Sequence, residues 1–235
     1  MLAGKKAVLF DAGFTLLEPT RSVADVYFGS AAELGVSLPE QEFRARLAEA
    51  WPKATSEYRS AHPDLESSDE LERDAWRRFT RMAAEPFPEL LRRHEEWLQR
   101  LFRHFDEAPA WRPYPGAHEL LAQLRRRGVV VGVVSNWHTS LHQILEGLAL
   151  KPLCHFVLTS ADAGRKKPHP RIFEQAVRLA GFDPGDIVHV GDSWDDDVEG
   201  ARAAGLEAIF VRRGPSAAPP DPGVPQIDRL AQLLD

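Results

Sequence analysis

A doubly wound α/β sheet with an inserted block of helices is the fold this sequence predicts. Three observations predict it. From about Trp111 onward, apolar runs of strand length alternate with amphipathic stretches of helical length, the pattern of a parallel sheet with crossover helices. Several of the runs end in polar residues, at the place where open α/β sheets hold their ligands. Between Thr20 and Ala108 the apolar period is helical, and no strand candidate interrupts it.

Ala7 to Phe10 is the first strand, an unbroken apolar run suited to burial on both faces. Four helices follow. Their apolar positions are Val23, Val26, Tyr27, Ala31 and Leu34; then Phe43, Leu47, Trp51, Ala54 and Tyr58; then Leu71, Ala75, Trp76, Phe79 and Met82; and last Leu90, His94, Trp97, Leu101 and Phe105. Stripes of this kind make a bundle core. Ser68, followed by Asp69, Glu70 and Glu72, reads as an N-cap with an acidic first turn.

After this block come a helix from Gly116 to Arg127, a strand from Val129 to Val134 and a helix from His138 to Leu148. Then follow a strand from Phe156 to Leu158, a helix from Pro168 to Ala180 and a strand from Ile187 to Val190. A helix from Trp194 to Ala204 and a strand from Ala208 to Val211 complete the series, which gives at least five strands. Pro215 to Pro225 is rich in Pro, Ala and Gly and reads as a loop before a last short helix. The division is a core of residues 1–17 and 109–235 and a helical domain of residues 18–108.

Composition narrows the function. A chain of 235 residues with 43% hydrophobic residues can bury a real core. The net charge is −6 and basic residues are spread along helices, so nucleic acid is not an indicated partner. Cys154 is the only cysteine, which rules out an internal disulfide framework, and it reads as a small buried residue. No apolar run approaches the roughly 20 residues of a membrane span. Asp11 interrupts the stretch after Lys5 and Lys6 too early for a signal peptide. The expectation is a cytoplasmic protein with a small-molecule substrate and no membrane partner; oligomeric state is not readable.

The chemistry lies at four segments. The first strand stops at Asp11, with Gly13 and Thr15 just beyond, so Asp11 reads as a nucleophile or metal ligand, or else as a carboxylate capping the next turn. A second strand ends in Ser135 and Asn136. Lys166 and Lys167 stand before Pro168, which opens a helix. A fourth segment ends in Gly191 and Asp192, followed by Asp195, Asp196 and Asp197.

In this order the segments resemble the haloacid dehalogenase-like hydrolase superfamily, most of whose members are magnesium-dependent phosphatases. The resemblance covers essentially the whole chain. It implies a Rossmann-like core with a helical cap of the type inserted after the first strand. It also implies that Asp11 attacks phosphorus to form an aspartyl phosphate, and that Mg²⁺ is held by Asp11, the carbonyl of Gly13, Asp192 and Asp197. Asp197 matches the second acidic position of the Gly-Asp motif, while Asp195 and Asp196 read as helix-start residues. Ser135 would hydrogen-bond a phosphate oxygen. Lys167, directly before Pro168, would supply positive charge to phosphate and Asp11, with Lys166 its rival. Asn136 reads as a substrate-orienting or turn-forming residue, and Thr15 as a hydroxyl that holds the loop or serves structure alone.

The sequence departs from the family's pattern at one place. Its phosphatases carry a second Asp two residues after the nucleophile, as the acid that protonates the leaving group and later activates water. Here Gly13 stands at that position, and Phe14 stands where the family usually has Gly. General acid–base groups contribute on the order of 10² to 10⁴ in rate, so ordinary alkyl phosphates are expected to be poor substrates. The expectation is a phosphatase for substrates with good leaving groups, or one aided by an acid from the cap. The alternatives are a metal-independent 2-haloacid dehalogenase and a binding protein that keeps the fold; the related phosphonate-cleaving branch needs a cap lysine, and Lys53, the only one there, reads as a solvated helix-face residue. The intact Gly191-Asp192 pair ranks the dehalogenase lower.

Overall fold

The computed structural model describes residues 1–213 and 221–234. Strand β1 (Ala7–Phe10) is fully buried, and its side chains alternate between two apolar layers. Val8 and Phe10 face one layer, Ala7 and Leu9 the other. That two-sided burial is why the run carries no polar residue.

Beyond Asp11 the chain leaves through β2 (Leu17–Pro19). It then builds α1 (Val23–Glu33), α2 (Glu40–Ala61), α3 (Asp69–Ala84), α4 (Pro88–Arg92) and α5 (His94–Phe105), and returns through β3 (Trp111–Pro113). Strands β2 and β3 pair antiparallel, so a two-stranded ribbon beside Asp11 carries the whole helical segment. Five helices stand where four were expected, because Pro88 starts a separate short one.

The helices enclose their own core, in which Tyr27, Phe43, Phe79 and Trp97 are buried. The indole N–H of Trp97 donates to Ser30 Oγ at 2.8 Å, which satisfies its polar end. Trp51, expected in the stripe, is instead 52% exposed. It lies on the outer edge of the bundle, where it packs on Trp76 and meets Phe79 edge-on.

The main sheet is completed by α6 (Ala117–Arg126), β4 (Val130–Ser135), α7 (Leu141–Gly147), β5 (Phe156–Thr159), α8 (Ser160–Ala163) and α9 (Pro170–Ala180). Next come β6 (Ile187–Gly191), a π-helical turn (Trp194–Glu199), α10 (Gly200–Ala203), β7 (Glu207–Val211) and β8 (Gln226–Ile227). Strand order is β5-β4-β1-β6-β7-β8, and every pairing is parallel. Helices α6 and α7 cover one face and α9 and α10 the other, which is the doubly wound α/β fold. Of the loop expected over Pro215 to Pro225, the part through residue 220 lies outside the described residues; Leu230–Leu233 form the short final helix. Among the described residues, no helix is long and apolar enough to cross a membrane.

Candidate active site

Strands β4, β1 and β6 are neighbours, so their carboxyl ends bring Ser135, Asp11 and Asp192 to one edge of the sheet. Asp11 is 7% exposed, and its N–H donates to the Val190 carbonyl at 2.9 Å. Its Oδ1 accepts from Ser135 Oγ at 2.9 Å and from Lys167 Nζ at 2.6 Å. Among the described residues, Oδ2 accepts no hydrogen bond.

Lys167 comes from the segment before α9 and is buried between two carboxylates, Asp11 Oδ1 and Asp197 Oδ1, each at 2.6 Å. Burial opposes its charge, but Asp11 and then Asp197 outweigh burial and keep the ammonium protonated above the usual lysine range. Asn136 grips the backbone of the same residue. Its Oδ1 accepts from the Lys167 N–H at 2.7 Å, and its Nδ2 donates to the Lys167 carbonyl at 3.0 Å. The amide of Asn136 is thus turned to Lys167 and, through Nδ2, to Asp196 at 3.3 Å. Lys166 points elsewhere, to Glu72 of α3 at 2.8 Å.

Asp197 sits in the π-helical turn, a geometry found disproportionately at functional sites. Its Oδ1 contacts Lys167 and His189 Nε2, the latter at 2.9 Å, and its Oδ2 accepts from the Ser193 N–H at 3.0 Å. Burial pushes its pKa up, but Lys167 and His189 overcome that and hold it well below the carboxylate range. A Cβ at Gly191 would stand 2.2 Å from Asp197 Cγ, so only glycine lets this carboxylate fold back against the strand. That contact is the local reason for the Gly-Asp pair.

Asp192 accepts from Thr15 Oγ1 at 3.2 Å, which gives Thr15 a definite contact across the site. Burial, then the charges of Asp11 and Asp197, push Asp192 up to about 7. Asp196 is pushed up to about 6, mainly by burial, and meets Arg59 of α2 at 3.1 Å. Asp195 is exposed. Asp11 itself is raised by burial, against the pull of Lys167.

These groups fit a hard dication. Asp11, Asp192 and Asp197 each offer an oxygen within 4.8 Å of the others, and oxygen ligands are what Mg²⁺ takes. Mutual repulsion among carboxylates, visible in Asp192, is what a bound cation would relieve. Among the described residues, the Gly13 carbonyl accepts no hydrogen bond, which leaves its lone pairs available. Asp197 has the least to give, since Oδ1 already meets two groups and Oδ2 one.

The loop after Asp11 is braced by Arg213, whose Nε donates to the Phe14 carbonyl and Nη2 to the Thr15 carbonyl at 2.6 and 2.9 Å. Phe14 has φ +56°, in the left-handed region that favours glycine. Lys53 is exposed on α2. Besides Arg213, two residues with no assigned role in the sequence prove to shape the site: His189, fully buried behind Asp197, and Trp137, whose ring lies over Gly13. The signal for His189 was present, as a histidine inside an apolar strand two residues before the Gly-Asp pair. Trp137 gave none beyond its place after Ser135 and Asn136.

A family model described as haloacid dehalogenase-like hydrolase matches residues 5–205. The chain is 33% identical over 243 residues to a glyceraldehyde 3-phosphate phosphatase of Methanopyrus kandleri, covering 98% of this chain and 96% of that protein. It is 42% identical over 147 residues to haloacid dehalogenase-like hydrolase domain-containing protein 3 of Bos taurus, covering 58% of this chain and 57% of that protein. The match therefore spans little more than half the length of that relative. Among solved structures, it resembles a HAD phosphatase from Thermococcus onnurineus, with TM-score 0.63, 27% identity, and coverage of 97% of this chain and 95% of that one.

Proposed function

This chain belongs to the haloacid dehalogenase-like hydrolases, and from that premise we propose that it is a magnesium-dependent phosphatase working through an aspartyl phosphate on Asp11. The observation that carries the reading is the disposition of the Asp11 carboxylate. Oδ1 is anchored by Ser135 and Lys167, while among the described residues Oδ2 accepts no hydrogen bond, and the residue stands at the carboxyl end of the middle one of three neighbouring strands. A relative of nearly the same length is named for a phosphate monoester, which supports phosphorus as the atom attacked.

Asp11 Oδ2 attacks phosphorus, the P–O bond to the leaving group breaks, and the leaving group departs with the electron pair. Lys167 neutralises charge on the transferring phosphoryl group, and the single Ser135 hydroxyl proton turns from Asp11 Oδ1 to one of its oxygens. Water then attacks phosphorus and releases inorganic phosphate with the Asp11 carboxylate. Asp11, Asp192, Asp197 and the Gly13 carbonyl would hold Mg²⁺, which when bound supplies charge neutralisation on the phosphoryl oxygens. Thr15 orients Asp192, and Asn136 fixes the Lys167 backbone.

Gly13 offers no proton to the leaving group. The enzyme therefore favours leaving groups of low basicity: a phenol such as the tyrosine side chain ionises near about 10, whereas water and its alkoxide relatives lie near about 15.7. Residues 18–108 act as a cap that excludes water and selects a small phosphorylated metabolite in the cytoplasm.

The test is phosphate release from acetyl phosphate and p-nitrophenyl phosphate, with Mg²⁺ or EDTA, alongside halide release from 2-haloacids. Metal-dependent phosphate release without halide release supports the reading. Metal-independent halide release without phosphate release replaces it with the dehalogenase alternative.

A further inference from the structure

Glu72, on the first turn of α3, is 4% exposed, and its carboxylate reaches the core rather than the helical bundle. Its Oε1 accepts from Ser67 Oγ at 2.6 Å and from Ser160 Oγ at 3.0 Å, and its Oε2 from Lys166 Nζ at 2.8 Å. The same ammonium lies 4.3 Å from the ring centroid of Tyr58 on α2. Backbone bonds close the junction, with the Lys166 N–H donating to the Leu65 carbonyl at 2.9 Å and the Ser67 N–H to the Gly164 carbonyl at 3.1 Å. The α2–α3 turn is thus stitched to segment 164–166. The next residue is Lys167, whose backbone is held from the opposite side by Asn136.

We propose that Glu72 is a positioning residue that couples the seating of the helical segment on the core to the placement of Lys167 Nζ against Asp11 and Asp197. The proposal rests on the phosphatase reading of Lys167. Apolar contact would dock two surfaces at less cost than a buried carboxylate, which is tolerated only when fully paired. What the ion pair adds is a single register, because Glu72 Oε2 is paired only when Lys166 faces α3. Unseating the turn frees Lys166 and loosens the peptide that carries Lys167. Seating it draws that peptide between Glu72 and Asn136 and fixes the Lys167 ammonium.

The experiment measures kcat and KM for p-nitrophenyl phosphate in wild type, Glu72→Gln, Lys166→Met, Lys166→Arg and the double variant Glu72→Gln/Lys166→Met. Thermal midpoints and hydrogen exchange of segment 164–168 are recorded for the same proteins. Glu72→Gln and Lys166→Met are each expected to lower kcat on the order of tenfold to a hundredfold, the scale of a misplacement of up to about 1 Å. KM should stay within about threefold while exchange at 164–168 accelerates. Lys166→Arg keeps the charge and should recover most of kcat, and the double variant should be no worse than the weaker single one, as for one coupled unit. A lowered thermal midpoint with wild-type kcat in Glu72→Gln assigns the pair to stability alone and overturns the proposal. If wild type releases no phosphate, the phosphatase reading fails separately, and unchanged exchange at 164–168 in Glu72→Gln then overturns the coupling on its own.

Discussion

Trp137 stands over Gly13 so closely that a Cβ on Gly13 would lie 3.3 Å from Trp137 Cζ3. The indole is braced by Trp111, the two rings meeting at 4.8 Å between centroids. The space in which an acid at position 13 would sit is thus bounded by an aromatic ring. Gly13→Asp alone should give little gain on alkyl phosphates, because even its Cβ requires the braced Trp137 ring to give by a few tenths of an ångström. Gly13→Asp/Trp137→Ala should raise turnover of alkyl phosphates over the single variant by about tenfold or more, part of what a general acid contributes. Turnover of aryl and alkyl phosphates by both variants checks this; equal turnover in the two would show that Trp137 is not the obstacle.

Gly191 is predicted to be as sensitive as a catalytic position. In Gly191→Ala the new methyl must push Asp197 away from the strand, which withdraws a partner from Lys167. Activity should fall at least about a hundredfold, the scale of a misplaced catalytic group, measured as kcat at saturating Mg²⁺.

Lys167 is predicted to stabilise the fold in addition to its part in the proposed reaction. Lys167→Met leaves Asp11 and Asp197 buried without their shared cation, and breaking such a buried set typically costs about 3–5 kcal/mol. Urea unfolding should show that loss, and Lys167→Met/Asp197→Asn should recover part of it by removing one of the stranded charges.

Asp192 gives the metal-free protein a definite pH dependence. Its folded carboxyl titrates at about 7, against the ordinary 3.8, so the folded state binds the proton more tightly. The stability contributed by the protonated form is present below the ordinary value and lost as pH rises through about 7. Asp192→Asn should therefore melt level with wild type near pH 4 and increasingly above it by pH 8, each kcal/mol appearing as about 2–4 °C. Saturating Mg²⁺ should remove the difference by stabilising wild type.

Much of this arrangement is legible in the sequence. Apolar runs such as Ala7 to Phe10 announce buried parallel strands, and the polar residues that end them mark the ligand edge. Ser68 was readable as a cap, and its hydroxyl does accept from the Leu71 N–H at 3.2 Å. Position along the chain does not, however, say which of two adjacent lysines turns inward. Lys166 and Lys167 part ways because Glu72, 94 residues earlier, claims the first. The π-helical turn was equally hidden, since local sequence favours an ordinary helix start there, and the packing of Asp197 against Gly191 is a contact that only the folded chain makes. Trp51 misled the periodicity because a helix stripe has edges, and an edge position can stay in water.

Cys154 is expected to be inert. Burial raises its thiol to about 12, so the thiolate needed for alkylation is scarce near neutrality. Iodoacetamide at pH 8 should modify the folded protein far more slowly than the urea-unfolded chain, and comparable rates would show that the thiol is open to solvent.

In the proposed mechanism, Gly13 supplies no carboxyl to activate water in the second step, so a phosphoenzyme should persist. The most direct measurement is acid quenching after mixing with acetyl phosphate and Mg²⁺, followed by mass analysis of the peptide that contains Asp11. The account predicts a phosphoryl group on Asp11 in wild type and none in Asp11→Asn. Phosphate release by Asp11→Asn at the wild-type rate, with no phosphorylated Asp11 in either protein, would contradict it.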